Sequence, residues 1–411
     1  VLARFLQGTG GGLALVYGTG LVNAALPPER RSPAMGVKLC SIGLASCASP
    51  VAGCLLVQYW HWKGLFVIVG AAAALLAVLT TLYVPNTKIP KNGKFDWFSF
   101  LTLAAGCVCI LMVLIYGETD GWTAPGVLCW MYGGFCSFVL AAISCMTHRT
   151  PLLDVRVLGN WRFLFGLLAS LCNIFCICWV RVGTVQFMRN VMNYEPAGIA
   201  WVFLVLVAGF CAGAAIVLPL MQKGRLALRV GMMAGLLGLG SSAFFLSRLD
   251  AGCSWLDVAW PLGLFGVGYA FCLNVATPLA LRGVEAKSAA ASSRTLNTVR
   301  YVFISMYVGS VSTVLAHMKT GYRFDMAEQV RDDSPGTVQT LDMWQRHFSE
   351  TGGTAADIHA SVNAMLNHAV ALQSQVFSVD AFYLCTVIVG AAGVLFALLC
   401  LKSGKERNTA S

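Results

Sequence analysis

The sequence predicts an all-α protein that crosses a lipid bilayer many times. Of its 411 residues, 57% are hydrophobic and 11% are charged, and the mean hydropathy is +0.72. Soluble domains contain about 25% charged residues, so this composition argues against an ordinary soluble protein. The apolar residues are grouped in runs of about 20, which is the length of a membrane-spanning helix.

Eleven runs are long and apolar enough to span the membrane. We predict spans near residues 1–25, 37–59, 64–84, 97–116, 124–147, 162–187, 198–221, 228–247, 257–281, 298–318 and 379–401.

Basic residues are concentrated in alternate connections between these spans. Those connections and the C-terminal tail hold 19 of the 28 Lys and Arg residues, among them Arg156, Arg225 and Arg300. Because basic loops remain in the cytoplasm, we expect a multi-pass protein of the cell (inner or plasma) membrane with a cytoplasmic C-terminus. With eleven spans, residue 1 is then expected on the outer side.

The first span opens with a polar pair followed by glycines. Arg4 and Gln7 lie on one helical face, and Gly8 and residues 10–12 add four glycines. In lipid, small residues let helices pack closely, and an arginine within a span is costly enough to suggest a function. The alternative is that Arg4 snorkels to the membrane interface.

This stretch resembles the R-x-x-x-G-x-G motif on the fourth helix of major facilitator transporters. Downstream, residues 43–54 resemble the G-x-x-x-G-P-x-x-G-G motif of the fifth helix in the antiporter branches. Pro50 and Gly53 match that motif, whereas Ala45, Ser49 and Cys54 stand where glycine is usual. Residues 95–97 and 117–122 resemble the flanks of the first extra helix in the fourteen-helix drug–proton antiporters, the EmrB/QacA-like group.

The resemblance implies a major facilitator fold with 11 of an expected 14 transmembrane helices, truncated before the fourth helix. Residues 1–84 would then hold the last three helices of the N-terminal repeat, and residues 85–161 two inserted helices with their flanking loops. Residues 162–401 would form a complete six-helix C-terminal repeat, followed by a cytoplasmic tail at 402–411.

The segment 319–378 is predicted to be an extracytoplasmic loop with a lid or packing role. It is polar, with a turn at 332–336 and a run at 358–372 that is spaced like an amphipathic helix. His359 and His368 in this run are nine residues apart rather than the four of a helical metal pair, so we expect no metal site.

Polar residues inside spans are the candidates for a transport pathway, because such groups are costly in lipid. Arg181 lies roughly 27 Å along its predicted span, where it either snorkels to the outer surface or forms an outer gate or an anion contact. Gln7, Asn173 and Asn274 either line the pathway or hydrogen-bond to a neighbouring helix.

The resemblance adds roles for residues of the two matched motifs. The family equivalent of Arg4 is thought to assist proton coupling and the architecture of the pathway, in which Gln7 and Gly8 are further candidates. Pro50 and Gly53 would help to close the cavity against leakage.

No carboxylate is predicted to lie in the middle of a span. All 18 Asp and Glu residues fall in loops or near span ends, and Asp257 and Asp380 come closest, each at the outer start of a span. A proton antiporter needs a group that exchanges protons, usually a desolvated carboxylate. We therefore expect this carboxylate in the three absent helices, because the antiporters that this chain resembles carry an aspartate on their first helix.

The resemblance implies a secondary active transporter that exports small amphipathic molecules (multidrug-type efflux) by proton antiport and alternating access. The alternative is a facilitator-type transporter of one specific metabolite or siderophore without proton antiport, which the altered fifth-helix motif and the absent acids would suit. The expected partners are a small-molecule substrate, protons and the lipid bilayer, with a periplasmic adaptor protein as a further candidate. We expect no nucleic acid, no cofactor and no enzymatic activity, since no nucleophile–base pair, phosphate loop or metal cluster is present in the sequence.

Overall fold

The computed structural model describes residues 2–25, 27–83, 96–148, 153–221, 225–281, 289–329, 335–349 and 355–402, and every regular element in these ranges is an α-helix. In chain order the helices are α1 (Leu2–Ala25), α2 (Pro28–Tyr59), α3 (Trp62–Tyr83), α4 (Trp97–Asp120), α5 (Pro125–Thr147), α6 (Val155–Leu158), α7 (Trp161–Asn190), α8 (Pro196–Met221), α9 (Arg225–Leu246), α10 (Trp255–Ala280), α11 (Ala289–Gln329), α12 (Pro335–Ser349) and α13 (Ala355–Lys402).

Each of the eleven predicted spans coincides with one of these helices. Within the described residues, nine helices are long and apolar enough to cross a membrane, and all nine correspond to predicted spans. The other two predicted spans are α1 and α9, and the apolar stretch of α9, Val230–Leu246, is shorter than the nine. The prediction of an all-α polytopic membrane fold is therefore confirmed.

The predicted loop at 319–378 is helical in all of its described residues. α11 continues to Gln329, α12 is a separate helix, and α13 begins at Ala355 and runs unbroken through the last span. The helix predicted over 358–372 exists, but it is an extension of that span. Residues 355–379 contain no glycine or proline to end the helix. The predicted turn at 332–336 lies partly outside the described residues, and Pro335 begins α12.

Glycines bring α10 into backbone contact with α8 and α9. A Cβ atom at Gly213 of α8 would lie 2.8 Å from the carbonyl oxygen of Val267 on α10. A Cβ atom at Gly235 of α9 would lie 3.0 Å from the carbonyl oxygen of Gly268. Membrane helices use small residues in this way, because close backbone approach increases packing where the hydrophobic effect does not act between helices.

Aromatic side chains fill the core between α7, α8, α10 and α13. Phe187, Phe203, Phe265 and Phe382 are fully buried. The ring of Trp179 on α7 stacks on that of Phe382 on α13, with ring centres 4.1 Å apart and planes 3° from parallel. These contacts hold α7 firmly in the bundle, so the polar side chains that it carries are fixed in position.

The two predicted inserted helices, α4 and α5, form a hairpin that packs against α11. The hydroxyl of Ser99 donates a hydrogen bond to that of Ser144 at 2.8 Å and joins the two helices. The Thr313 hydroxyl on α11 donates to the carbonyl oxygen of Leu114 on α4 at 2.7 Å. Nearby, His317 and Glu118 lie 3.3 Å apart, so the hairpin is attached through α4.

Candidate functional site

Helix α2 is the part of the first segment, α1–α3, that packs against the helices of the second segment, α7–α13. Gly43 of α2 lies directly against Phe210 of α8 and Leu273 of α10, where any side chain would collide with both. Near the end of α2, Gln58 Nε2 donates to Glu195 Oε2, just before α8, at 3.3 Å. Between Gly43 and Gln58, side chains of α2 form hydrogen bonds with the second segment.

Pro50 leaves one backbone carbonyl group of α2 without its usual hydrogen bond. Proline has no N–H, so the carbonyl group of Ser46, four residues earlier, loses its normal helical donor. The hydroxyl of Ser49 donates to this carbonyl oxygen at 2.9 Å and replaces the missing hydrogen bond. Ser46 and Ser49 are three residues apart and share one face of the helix.

Arg181 of α7 binds both of these serines. Its Nη1 donates to Ser46 Oγ at 2.6 Å and its Nη2 donates to Ser49 Oγ at 3.1 Å. The Nε atom is buried and has no hydrogen-bond partner among the described residues. No described carboxylate lies within ion-pair distance of the guanidinium, so its charge is bound only by neutral hydroxyls.

Arg181 therefore does not snorkel to the outer end of its helix. α7 continues to Asn190, nine residues further on, and this corresponds to about 14 Å of helix. The guanidinium points sideways to α2 instead. The contact of Arg181 with α2 is a hydrogen-bonded contact between helices, which the sequence analysis did not anticipate for this residue.

Asn274 and Tyr269 extend the polar contact onto α10. Asn274 is fully buried, and its Nδ2 donates to the carbonyl oxygen of Ala270 at 2.9 Å and lies 3.5 Å from Cys40 Sγ on α2. Tyr269 is also buried and lies beside Ser46. We call this set the α2 seam; it consists of Cys40, Ser46 and Ser49 of α2, Arg181 of α7, and Tyr269 and Asn274 of α10.

Asn173 does not belong to the α2 seam. It is buried on α7, eight residues before Arg181, or about 12 Å along the helix. Its Oδ1 has no hydrogen-bond partner among the described residues. The structure thus leaves Asn173 as an isolated polar group in the core.

Arg4 and Gln7 of the first helix contact each other, and among the described residues no hydrogen bond joins either of them to the α2 seam. Arg4 Nη1 donates to Gln7 Oε1 at 3.1 Å, as their spacing predicts, and the guanidinium lies 4.6 Å from the ring centre of Phe66 on α3. Both residues are exposed in this structure and make no hydrogen bond to the seam. A Cβ atom at Gly8, or at Gly53 of α2, would meet no other atom within 4 Å.

Arg300 is a partly buried basic residue that the charge pattern counts with the cytoplasmic connections. The pattern places it with the cytoplasmic basic connections, but the structure places it within α11, inside the bundle. Its Nε donates to Ser170 Oγ on α7 at 2.6 Å and its Nη1 to Thr277 Oγ1 on α10 at 2.8 Å, while Nη2 is buried without a partner among the described residues. Its position two residues inside the predicted span at 298–318 is the sequence signal that points to burial.

Asp380 is also placed differently from its prediction. The sequence puts it at the outer start of a span, whereas the structure puts it in the interior of α13, far from both ends of that helix. One carboxylate oxygen, Oδ1, is buried and has no hydrogen-bond partner within the described residues. The error follows from the unexpected extension of α13, because the predicted helix start does not exist.

Cys253 lies outside the spans, in the connection between α9 and α10. Partial burial raises the pKa of its thiol to about 11, and the negative charges of Asp250 and Asp257 act in the same direction. Since the thiolate is the reactive form of cysteine, this thiol is expected to be unreactive at neutral pH.

Comparison with known proteins identifies the family. The sequence profile of the Major Facilitator Superfamily matches residues 1–307. Similar proteins include "Multidrug resistance protein Stp" of Mycobacterium tuberculosis, 27% identical over 76% of this chain and 58% of that protein. The "Probable actinorhodin transporter" of Streptomyces coelicolor is 23% identical over 76% of this chain and 56% of that protein. "Multidrug resistance protein 3" of Bacillus subtilis is 22% identical over 96% of this chain and 77% of that protein.

The chain thus spans less than two thirds of the length of the first two relatives. The profile nevertheless covers most of the chain, including the whole of the α2 seam. The all-helical fold, the apolar helices and the profile agree, and the protein belongs to the Major Facilitator Superfamily.

Proposed function

We propose that this protein exports small amphipathic molecules across the cell membrane by alternating access coupled to proton antiport. The relatives support this class, since two of those described above are named for multidrug resistance and a third for transport. Membership of a transporter superfamily favours a transporter over an enzyme. The observation that carries the proposal is the α2 seam, where polar contacts join segments that the sequence assigns to different repeats.

Alternating access requires contacts between repeats that can be broken and remade. In the predicted division, α2 belongs to the N-terminal repeat at 1–84, and α7, α8 and α10 belong to the C-terminal repeat at 162–401. Arg181 would then join the repeats through two hydrogen bonds to neutral hydroxyls, each contributing about 1.5–3 kcal/mol. Such contacts hold one state in place without preventing its exchange with another.

Proton antiport needs a carboxyl group that binds and releases a proton. We propose two locations for it: the three helices expected before residue 1, as the family resemblance implies, and Asp380. Asp380 qualifies because its Oδ1 is buried without a donor among the described residues, and acidic groups inside membrane proteins commonly mark proton relays. Arg4 would assist coupling, and Pro50 with Gly53 would help to close the cavity against leakage.

The proposed orientation follows from the basic connections. We place the protein in the inner or plasma membrane with its C-terminus in the cytoplasm, so that export moves substrate outward. A periplasmic adaptor protein would be a partner on the outer side.

The test uses the full-length protein in proteoliposomes with an acidic lumen. Three probes are offered, which differ in charge and keep their charge over the pH range of the experiment. These are 8-anilinonaphthalene-1-sulfonate (an anion), N-phenyl-1-naphthylamine (neutral) and ethidium (a cation), with uptake measured by mass spectrometry. We expect uptake of at least one probe that is abolished when nigericin collapses the pH gradient. Uptake that is unaffected by nigericin would favour the facilitator-type alternative, and no uptake of any probe would contradict export.

A further inference from the structure

We propose that the α2 seam binds the anionic group of the transported molecule, so that the protein prefers amphipathic anions to cations of similar size. This inference rests on the proposed export function and adds to it the charge class of the substrate. The binding group is the guanidinium of Arg181.

The α2 seam carries a single charge, which is positive. Arg181 is its one basic or acidic side chain, and its hydrogen-bond partners are two serine hydroxyls. Hydroxyl groups bind a guanidinium but leave its charge uncompensated. The carboxylate of Glu195 that contacts α2 does so at Gln58, nine residues beyond Ser49 and about 14 Å along the helix. Among the described residues, the seam therefore carries an unpaired positive charge.

Arg181 has more hydrogen-bond donors than the α2 seam has acceptors for them. A guanidinium has five N–H groups in a planar fork, and Arg181 uses two of them, on Ser46 and Ser49. The Nε–H is shielded from water and has no acceptor among the described residues. A donor buried in this way is unfavourable until an acceptor arrives. A carboxylate or sulfonate group matches the fork of an arginine and can accept two hydrogen bonds from it.

Ser49 acts as an acceptor, not a donor, toward the guanidinium of Arg181. Its own proton is directed to the Ser46 carbonyl oxygen, which Pro50 leaves without a helical donor. Ser49 consequently presents lone pairs to Arg181 and holds the guanidinium in place without competing as a donor for an incoming anion. Ser49 occupies a position where the resembled motif has glycine, so this arrangement is a property of the present chain.

A cation at the seam is disfavoured for the same reason that an anion is favoured. Like charges repel strongly where water is excluded, because the effective dielectric constant is low. A neutral molecule gains or loses little from the charge of Arg181. The expected order of preference is therefore anion, then neutral molecule, then cation.

The experiment compares the three proteoliposome probes above. 8-Anilinonaphthalene-1-sulfonate and N-phenyl-1-naphthylamine share one aromatic scaffold and differ by the sulfonate. We expect Arg181→Gln to lower the preference for the sulfonate over the neutral amine, taken as the ratio of their kcat/KM values, at least about tenfold, the size of a lost charge-assisted hydrogen bond. The loss of the contact between the repeats affects both probes alike and therefore cancels in this ratio. Arg181→Lys keeps the charge and loses the planar fork. Its preference for the sulfonate should lie between that of the unmodified protein and that of Arg181→Gln.

Arg189→Gln is the matched control, because Arg189 lies on the same helix and is exposed. Uptake of the neutral amine shows that each variant is folded and active. If Arg181→Gln keeps the unmodified protein's preference for the sulfonate over the neutral amine, or if the unmodified protein prefers ethidium, the anion proposal is wrong while export stands. If the unmodified protein takes up none of the three probes, both proposals are wrong.

Discussion

Pro50 and Ser46 are related through a hydrogen bond that proline removes. Pro50 leaves the Ser46 carbonyl group without its helical N–H, and the Ser49 hydroxyl takes that place at 2.9 Å. The same two serines then accept hydrogen bonds from Arg181. A local backbone defect in one helix thus organises a contact with another helix.

Ser49→Gly tests this relationship. The substitution removes the donor to the Ser46 carbonyl and one acceptor of Arg181, so we expect the free energy of unfolding to fall by about 1–3 kcal/mol, measured by SDS titration in detergent micelles. The control is Ser41→Gly, since Ser41 is exposed on the same helix and bonds only to Val37. In a Pro50→Ala background the helical N–H is restored. Ser49→Gly should then lower the free energy of unfolding by less than it does when Pro50 is present. Equal losses in both backgrounds would contradict the role given to Pro50.

Gly213→Ala tests the close crossing of α8 and α10. The added Cβ atom would lie 2.8 Å from the carbonyl oxygen of Val267, and overpacking of this kind costs about 1–3 kcal/mol. We expect a lower melting temperature in detergent. Gly240→Ala on α9 is the control, because a Cβ atom there meets nothing within 4 Å. Alanine is the better helix former, so this variant should be as stable as the unmodified protein or more stable.

The spans could be predicted because the apolar length of a helix is a local property of the sequence. The pairing of Arg4 with Gln7 was predictable for the same reason, since the two residues are one helical turn apart. The contact of Arg181 with Ser46 joins residues 135 positions apart, and no local pattern specifies it. The site on α2 therefore emerged only from the packing of α2 on α8 and α10, which brings Ser46 and Ser49 within reach of Arg181.

Two features of the structure that the sequence analysis did not predict, the helical continuity of the polar segment 319–378 in its described residues and the packing of Arg300 against α7 and α10, have a common physical cause. Polarity and charge indicate where a chain leaves the membrane, but they do not indicate where a helix ends or whether a charged group is buried. Residues 319–329 and 355–378 are polar yet helical, because they contain few residues that break a helix. Arg300 was assigned to a cytoplasmic connection by its charge, whereas the hydroxyls of Ser170 and Thr277 hold it inside the bundle.

Cys253 should react slowly with maleimides at neutral pH, although it lies in a connection. Burial and the nearby carboxylates raise its pKa to about 11, so the thiolate fraction is small at pH 7 and rises with pH towards that value. Asp250→Asn removes one of the negative charges and should increase the labelling rate. A rate that levels off at about pH 9, as it does for an ordinary thiol with a pKa of about 8.5, would contradict the raised pKa. The rate is best measured by mass spectrometry, which separates Cys253 from the other cysteines.

Asp380→Asn tests the proposed proton site in α13. The substitution preserves the size of the side chain but removes the carboxyl group that can bind and release a proton. We expect uptake driven by a pH gradient to fall at least about tenfold, whereas exchange of labelled for unlabelled substrate, which needs no net proton movement, should persist. Asp342→Asn on α12 is the control, since Asp342 is exposed. Normal gradient-driven uptake by Asp380→Asn would assign coupling to another group.

Arg300 allows a prediction about the sign of a stability change. Its guanidinium lies among α7, α10 and α11 with two hydroxyl partners, and its Nη2 atom is shielded from solvent. Replacing a buried charged group by an apolar side chain of similar size is often neutral or stabilising, because the desolvation penalty disappears. Removing only its partners leaves the charge less well bound. We therefore expect Arg300→Met to keep or raise the free energy of unfolding, and Ser170→Ala or Thr277→Val to lower it by about 1–3 kcal/mol.

The double variants decide between this account and a simple packing effect. If Ser170 and Thr277 act through Arg300, the cost of Ser170→Ala should vanish in the Arg300→Met background, giving a coupling energy of about 1–3 kcal/mol. If the serine matters only for packing, Ser170→Ala should cost the same in both backgrounds. A large loss of stability in Arg300→Met itself would show that the guanidinium has a further partner that compensates its charge. Uptake measured on the same variants separates stability from transport, because a protein that is more stable but inactive would assign Arg300 to the transport cycle.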